Sequence, residues 1–174
     1  LIGVSWRFMF QPDFGLFKAF FDVLFPPLAD VDWLGDPILA MIALVGSDVW
    51  HFTPFLTLVF IGGLATVPKD AQEAATIDGA TSWMVFRDVT LPSILPVLAV
   101  GIVLKSIFSL KMFDQVYMLT NGGPAYATQT LAHYIYFNGF KYYDMGYASA
   151  VSYLLVIPMF GLTWVYMKPV FLKR

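Results

Sequence analysis

The stretch EAATIDGATSWMVFRDVTLP, Glu73 to Pro92, decides how the rest of the chain is read. It is rich in small residues, carries Glu73, Asp78, Arg87 and Asp88, and lies between long apolar runs. Asp70 and Glu73 suit the positive end of a short helix, and Ala71, Ala74 and Ala75 are the strongest helix formers. Pro68 fits a first helical turn, where its missing N–H removes no bond. Gly79 after Asp78 supplies a stop, because glycine enters the left-handed region without steric cost. Thr81 or Ser82 can cap a second short helix over Trp83 to Val89. Leu91-Pro92 closes it, since the residue before proline avoids helical geometry. Helix, glycine kink, helix makes a docking element whose small side chains admit a partner's backbone or groove and whose Glu73 and Asp78 offer charge. An ordinary structured connection between two helices fits the same residues.

The flanks fix the solvent. The 174 residues are 59% hydrophobic, 18% aromatic and only 13% charged, with a mean hydropathy of +0.71. Soluble domains carry about 25% charged residues, so half the usual solvating surface is missing and a bilayer is the simplest medium. A net charge of −2 without a Lys/Arg cluster excludes a nucleic-acid partner. The absence of cysteine excludes disulfides and thiolate metal sites. LIGVSWRFMF at the start has no Met and no charged n-region, so it is no signal peptide. It reads as the last turns of a span that began earlier, and the chain is expected to be part of a longer protein.

A spanning helix needs about 20 mostly apolar residues. Ile38 to Gly63 meets this, interrupted by Asp48, His51 and Pro54, as does the shorter Ile94 to Leu110, which contains Lys105. Gly146 to Met167 has no charge at all. The expected fold is an all-α, polytopic transmembrane helix bundle, with spans near 38–63, 94–111 and 146–167, a loop over 67–92 and another over 112–145. Phe17, Phe20, Phe21 and Leu24 recur at helical spacing against Lys18 and Asp22. That pattern fits an interfacial helix or a helix buried on neighbouring protein. Pro26-Pro27 ends it, and DWLGDP turns the chain into the next span. Lys168, Lys173 and Arg174 place the C-terminal end in the cytoplasm by the positive-inside rule. The 67–92 loop then also lies inside, and residues 11–37 and 112–145 lie outside. The outer loop holds the turn signal Asn121-Gly122-Gly123-Pro124 and many tyrosines. Those rings read mainly as an interfacial aromatic belt, although aromatics also stack on sugars.

Glu73-Ala74-Ala75, Asp78-Gly79-Ala80 and then Phe86, Val89, Thr90, Leu91 and Pro92 resemble the EAA loop of ABC importer permeases at fixed spacing. FDQVYMLTNGGP, YYDMGYASA, WRFMFQPDFG and DWLGDP resemble the MalF-like subunits of the binding-protein-dependent sugar permeases nearly end to end, without the N-terminal spans of that family. The resemblance implies a type I importer permease in a prokaryotic inner membrane. Its partners would be a second permease, two ATP-binding subunits, an extracytoplasmic solute-binding protein, membrane lipid and a di- or oligosaccharide substrate. It implies that the loop is the coupling helix seated on the ATPase, through Glu73, Ala74, Ala75, Asp78, Gly79, Ala80 and Phe86, with Glu73 meeting a basic residue and Gly79 permitting close approach. No cofactor is expected in this chain. No Walker A pattern occurs in it, so ATP and Mg²⁺ belong to the partner ATPase.

Lys105, Ser109 and Met112 share one helix face at i, i+4 and i+7. A lysine inside an apolar span faces a cavity or partner, or snorkels outward. By the resemblance these three line the sugar site, and Trp50, His51, Phe52 and Phe55 around Pro54 form the opposing wall. Proline is tolerated in a span where a cavity is lined. Lys105 leaves room for an anionic substrate of the glycerol-phosphate type. His51 serves equally as a structural hydrogen-bonder, and Asp48 fits a partner in Lys105 or Lys111 or a wet vestibule. A membrane-embedded enzyme using His51, Asp48 and His133 has neither a nucleophile motif nor clustered carboxylates behind it. A structural subunit that only docks through the loop is the third reading. Neither a catalytic nor a metal site is expected.

Overall fold

The computed structural model describes residues 1–26 and 31–171, and among them all regular structure is helical. The short helices α1 (Ile2–Met9) and α2 (Leu16–Leu24) precede a long α3 (Pro37–Leu64). Next come α4 (Lys69–Ile77), α5 (Ser82–Val85), a π-helical turn over Phe86–Thr90 and α6 (Leu91–Leu110). The chain continues through α7 (Asp114–Leu119), α8 (Leu131–Tyr136), a second π turn over Phe137–Lys141 and α9 (Met145–Phe171). Three helical stretches, Pro37–Leu64, Ser82–Leu110 and Met145–Tyr166, are long and apolar enough to cross a membrane. Only 17%, 17% and 11% of their most apolar windows are buried by the rest of the chain. Helices that are apolar all round and so little covered require an apolar surrounding, and the chain is an all-α membrane protein. Pro27, Lys173 and Arg174, which carried the proline break and most of the charge argument for orientation, lie outside the described residues.

Local chemistry sets the starts and stops. Asp36 caps α3: its Oδ1 accepts the N–H groups of Ile38 at 2.8 Å and Leu39 at 3.0 Å. Pro37 takes the first helical position. Asp32 Oδ1 accepts from Leu34 and Gly35 and makes the preceding turn. Asp144 Oδ1 accepts from Tyr147 N–H at 3.0 Å at the start of α9.

The chain divides into two compact units. The first comprises residues 1–52 and 108–157. There α1 packs on α7 so closely that a Cβ on Gly3 would lie 2.9 Å from Met118 Cβ. The core joins Phe10, Ala43, Leu44, Val116 and Leu119, with Trp6, Phe17, Trp33, Leu34 and Met112 packed against it. Aromatic rings do most of the filling: Phe10 and Phe17 stack at 4.6 Å, and Phe21 stacks on Trp33 at 5.7 Å. The apolar stripe of α2 is therefore split. Phe17 and Phe21 face protein, while Phe20 and Leu24 stay exposed.

The second unit comprises residues 53–107 and 158–174, described to 171. The second half of α3 and α6 meet through glycines. A Cβ on Gly63 would fall 2.9 Å from Val97 Cγ1 and 3.1 Å from its Cβ, and one on Gly101 would fall 2.9 Å from the Phe60 ring. Such contacts let helices associate by van der Waals packing where lipid gives no hydrophobic drive.

Two expectations are overturned here. Leu91 does not close the helix: it is helical at φ −61° and ψ −45°, and the helix runs from Ser82 to Leu110. The π turn is the reason. Leu91 N–H reaches back to Phe86 O, five residues away, and the widened turn accommodates the ring of Pro92 where a regular turn would clash. Ser93 Oγ donates to Val89 O at 2.7 Å, satisfying a carbonyl in the disturbed turn. Pro68 likewise sits one position earlier than expected, as an extended N-cap rather than in the first turn.

Gly63→Ala tests the helix contact. Alanine gains roughly 0.5–1 kcal/mol of helix propensity over glycine, but overpacking against a stiff β-branched side chain costs about 1–3 kcal/mol. The net expected effect is a lower melting temperature in detergent, recovered in Gly63→Ala/Val97→Ala. A melting temperature raised by Gly63→Ala would show that the two helices do not touch there, because the gain in helix propensity would then stand alone.

Candidate functional site

The 67–92 loop is built as a closed hydrogen-bonded device. At the end of α4, Ala80 N–H donates to Ala75 O at 3.0 Å and Gly79 N–H donates to Thr76 O at 3.1 Å, with Gly79 at φ +85°. This is a Schellman motif, and it accounts for the spacing between Ala75, Gly79 and Ala80. A Cβ at Gly79 would meet nothing within 4 Å, so within the chain the glycine is needed for its backbone angle and not for space. Thr81 Oγ1 then accepts from Met84 N–H at 3.4 Å, making Thr81 rather than Ser82 the cap of α5. Gln72 Nε2 donates to the buried Thr90 Oγ1 at 3.1 Å and ties α4 to the π turn.

Between α4 and α5 lies a groove of about 620 Å³ lined by Glu73, Ile77, Ala80 and Phe86 among others. Ile77 in its lining is 85% exposed, and Trp83 on α5, outside the lining, is 67% exposed. Glu73 is exposed and has no ion-pair partner among the described residues. Asp78, Gly79 and Ala74 are exposed, and Ala75 and Ala80 half-buried. Arg87 and Asp88 are used locally, in a two-point ion pair at 2.7 and 3.0 Å.

In the first unit, a cavity of about 310 Å³ is lined by Asp48, His51, Phe52, Lys111, Met112 and Gln115, with Phe108, Phe113 and Asp114. The Phe52 ring lies 4.7 Å from His51 and 5.5 Å from Phe108, giving one aromatic wall. Gln115 is 8% exposed, and its Nε2 has no hydrogen-bond partner. The 112–145 loop is pinned beside it by Thr130 Oγ1, which donates to Met112 O at 2.7 Å. Thr128 Oγ1 donates to Gly123 O at 2.7 Å and meets Thr120 Oγ1 at 2.6 Å. His133, 2% exposed, lies among Phe113, Tyr117 and Phe137, with ring centroids 6.2, 6.2 and 4.5 Å away. A Cβ on Gly122 would come 2.8 Å from the His133 ring. Among the described residues no group of three or more His, Cys, Asp or Glu could hold a metal ion.

Residues 3–167 match the model of the family described as binding-protein-dependent transport system inner membrane component. The chain belongs to this family. It is 41% identical over 164 residues to the trehalose/maltose transport system permease protein MalF of Thermococcus litoralis, covering 94% of this chain and 55% of that protein. It is 31% identical over 166 residues to the sulfoquinovosyl glycerol transport system permease protein SmoG of Agrobacterium fabrum, covering 95% and 53%. A crystal structure of a bacterial ABC transporter that imports the acidic polysaccharide alginate shares the fold, with a TM-score of 0.81 at 22% identity over 95% of this chain and 57% of that one. The chain thus spans about half the length of the curated relatives it matches.

The residues expected along a substrate pathway are placed as follows in each unit. His51, Phe52 and Met112 line one cavity. Trp50, 62% exposed, instead sets its ring edge-on to Trp6 at 5.7 Å. Phe55 and Lys105 belong to the second unit, Phe55 exposed and Lys105 half-buried. Ser109 is half-buried and does not line the cavity. Sequence reasoning missed Gln115, Asp114 and Phe108 as wall residues. Their only signal was position, just before or after the end of α6. It also missed Ile77 and Trp83, although exposed apolar side chains on a loop between spans are visible as a pattern.

Two outcomes follow from these geometries. Replacing Gly79 by valine forces a β-branched residue into the left-handed region at roughly 1–2 kcal/mol, whereas asparagine tolerates it. Hydrogen exchange at the end of α4 should rise in Gly79→Val and stay near wild type in Gly79→Asn; equal behaviour of the two would sink the cap role. Burial pushes the His133 imidazole below its ordinary value of 6.5. The unfolded loop then binds the proton more readily than the folded loop. The stability contribution is complete above about pH 6.5 and is lost as pH falls through the lower folded value. Exchange in residues 112–145 should accelerate below that pH once intrinsic rates are removed, and His133→Phe should flatten the dependence.

Proposed function

We propose that this chain acts in an ATP-driven importer of a sugar in a prokaryotic plasma membrane, as a permease subunit that carries no cofactor. The exposed 67–92 element carries this reading. It is rigid by its Schellman motif, thin through its small residues, and presents bare Ile77, Trp83 and Glu73. A helix pair that merely linked two spans would gain from hiding Ile77 and Trp83, so their exposure points to a partner that covers them. The fitting partner is a cytoplasmic ATP-binding subunit that holds ATP and Mg²⁺, with Glu73, Ala74, Ala75, Asp78, Gly79, Ala80 and Phe86 at the joint. A second permease, a second ATP-binding subunit and an extracytoplasmic solute-binding protein complete the assembly. Closure of the ATPase pair would then move the permeases between inward and outward access.

The relatives named for trehalose/maltose and for sulfoquinovosyl glycerol transport support a saccharide cargo. So does the 310 Å³ cavity, where Phe52 and Phe108 offer ring faces and His51 and Gln115 offer polar groups. Its lining holds Asp48 and Asp114 against Lys111, which disfavours a phosphate-bearing substrate. The relatives are permeases by name, which weighs against the membrane-enzyme reading.

The test is a reconstituted complex with its solute-binding protein. Wild type should show ATPase activity stimulated by the sugar-loaded binding protein. Ile77→Asp, which alters an 85% exposed side chain, should leave the permease folded yet weaken capture of the ATP-binding subunit by about tenfold or more, as for loss of a buried apolar anchor. Full stimulation in Ile77→Asp and in Trp83→Asp alike would remove the loop from the joint. Sugar uptake by this chain without any ATPase would defeat the importer reading.

A further inference from the structure

A second cavity, of about 620 Å³, opens on the 112–145 loop of the first unit and is separate in its lining from the one beside His51. Its walls are amides and aromatic rings: Asn121, Gln129 and Asn138 alternate with Tyr126, Tyr142 and Phe137, and among the described residues no carboxylate, lysine or arginine lines it. Pockets of this size take small organic ligands. A charged ligand would have no counter-charge here, at a large desolvation cost.

The fold leaves the polar groups of this cavity under-used. Asn138 Nδ2 donates to Tyr134 O at 2.8 Å, which fixes the amide and keeps its Oδ1 as an acceptor. Gln129 Nε2 reaches His133 Nδ1 only at a long 3.5 Å, and the buried His133 Nε2 has no partner. The rings stand on hydrogen-bonded turns: Asp144 N–H donates to Asn138 O at 2.9 Å, and Gln129 N–H donates to Tyr126 O at 3.1 Å. Asn121 and Tyr126 sit at φ 52° and 62°, and Tyr143, next to Tyr142, at φ 59°. Left-handed geometry in tyrosine is uncommon and persists where the surroundings impose it. Tyr126 is 75% and Tyr142 68% exposed, so packing within the chain covers neither ring. An aromatic belt facing lipid headgroups would explain exposed tyrosines, but not three amides gathered between them.

We propose that this cleft is a saccharide-binding site, distinct from the cavity in the spans, that takes a neutral sugar ring between Tyr126 and Tyr142. The chemistry is matched on both sides. The C–H faces of a pyranose are apolar and lie against aromatic rings, while its hydroxyls both donate and accept, as the amides do. This reading does not depend on the import role of the chain.

Binding is measured by saturation-transfer NMR on the assembled complex in lipid nanodiscs, without nucleotide or solute-binding protein. Maltose, trehalose and, as a charged control, glucuronate are the probes. Transfer to ring C–H protons is expected from at least one neutral disaccharide and not from glucuronate. Gln129→Leu and Tyr126→Gly, the second of which also relieves the backbone angle, should each weaken binding about tenfold, the scale of one buried hydrogen bond or stacking contact. Elution and subunit assembly should be unchanged. His51→Ala should leave this binding intact. Absence of transfer, equal transfer to glucuronate, or loss of the signal in His51→Ala with retention in Tyr126→Gly overturns the proposal. So does a Tyr126→Gly effect confined to stimulation by the solute-binding protein, which would make the tyrosine a protein contact. Transport by the wild-type complex is read separately, so failure of the cleft leaves the importer reading standing.

Discussion

In an apolar medium a backbone N–H or C=O has no water to turn to, and each one left open costs several kcal/mol. The three long helices answer this constraint by keeping their bonds within themselves, and the irregular features of the structure are its local consequences. Pro54 and Pro96 are carried inside α3 and α6 without ending them. At Pro92 the helix widens into a π turn, with a serine hydroxyl taking the carbonyl of Val89. Termination is left to side chains outside the apolar windows: Asp36 and Asp144 at helix starts, and the left-handed Gly79 at a stop.

Once the backbone is satisfied, association has to come from close packing, because lipid tails are as apolar as leucine. The chain meets this differently in its two units. In the second, glycines bring α3 and α6 into contact through Gly63 against Val97 and Gly101 against Phe60. In the first, stacked aromatic rings from α1, α2 and the Trp33 turn gather around Phe10 and Phe17, and polar threonines brace the 112–145 loop. That loop holds a buried histidine and lines two cavities, its turns locked by hydrogen bonds and its helix α7 anchored by Val116 and Leu119 in the core.

Much of this was legible in the residues. The apolar runs announced the spans, since length and composition alone govern whether a helix suits a bilayer. Gly79 announced its stop and the Thr81-Ser82 pair announced a cap, because those motifs are local; the structure chose Thr81. The family membership was legible too, in the fixed spacing from Glu73 to Pro92. The misreading at Leu91-Pro92 has a clear source: the rule for a residue before proline assumes a regular turn, and a π turn relaxes it. Which of the residues expected along a pathway share one cavity was less legible. Helical spacing puts Lys105, Ser109 and Met112 on one face, yet it does not say which neighbour that face meets. Only Met112 reaches the cavity with His51 and Phe52.

What the sequence by itself determined, then, is whatever rests on neighbours a few residues apart: the helical class, the apolar spans, the caps, and the small-residue element between two spans. The tertiary structure alone decided which side chains share a space. It turned Trp50 onto Trp6, drew Gln115 into the cavity wall, split α2 between protein and open surface, and set tyrosines and amides around a second cleft. The reason is physical. Caps and helix propensities are settled by bonds within one turn, whereas a cavity is the space left when segments far apart in sequence pack, and no single segment encodes it.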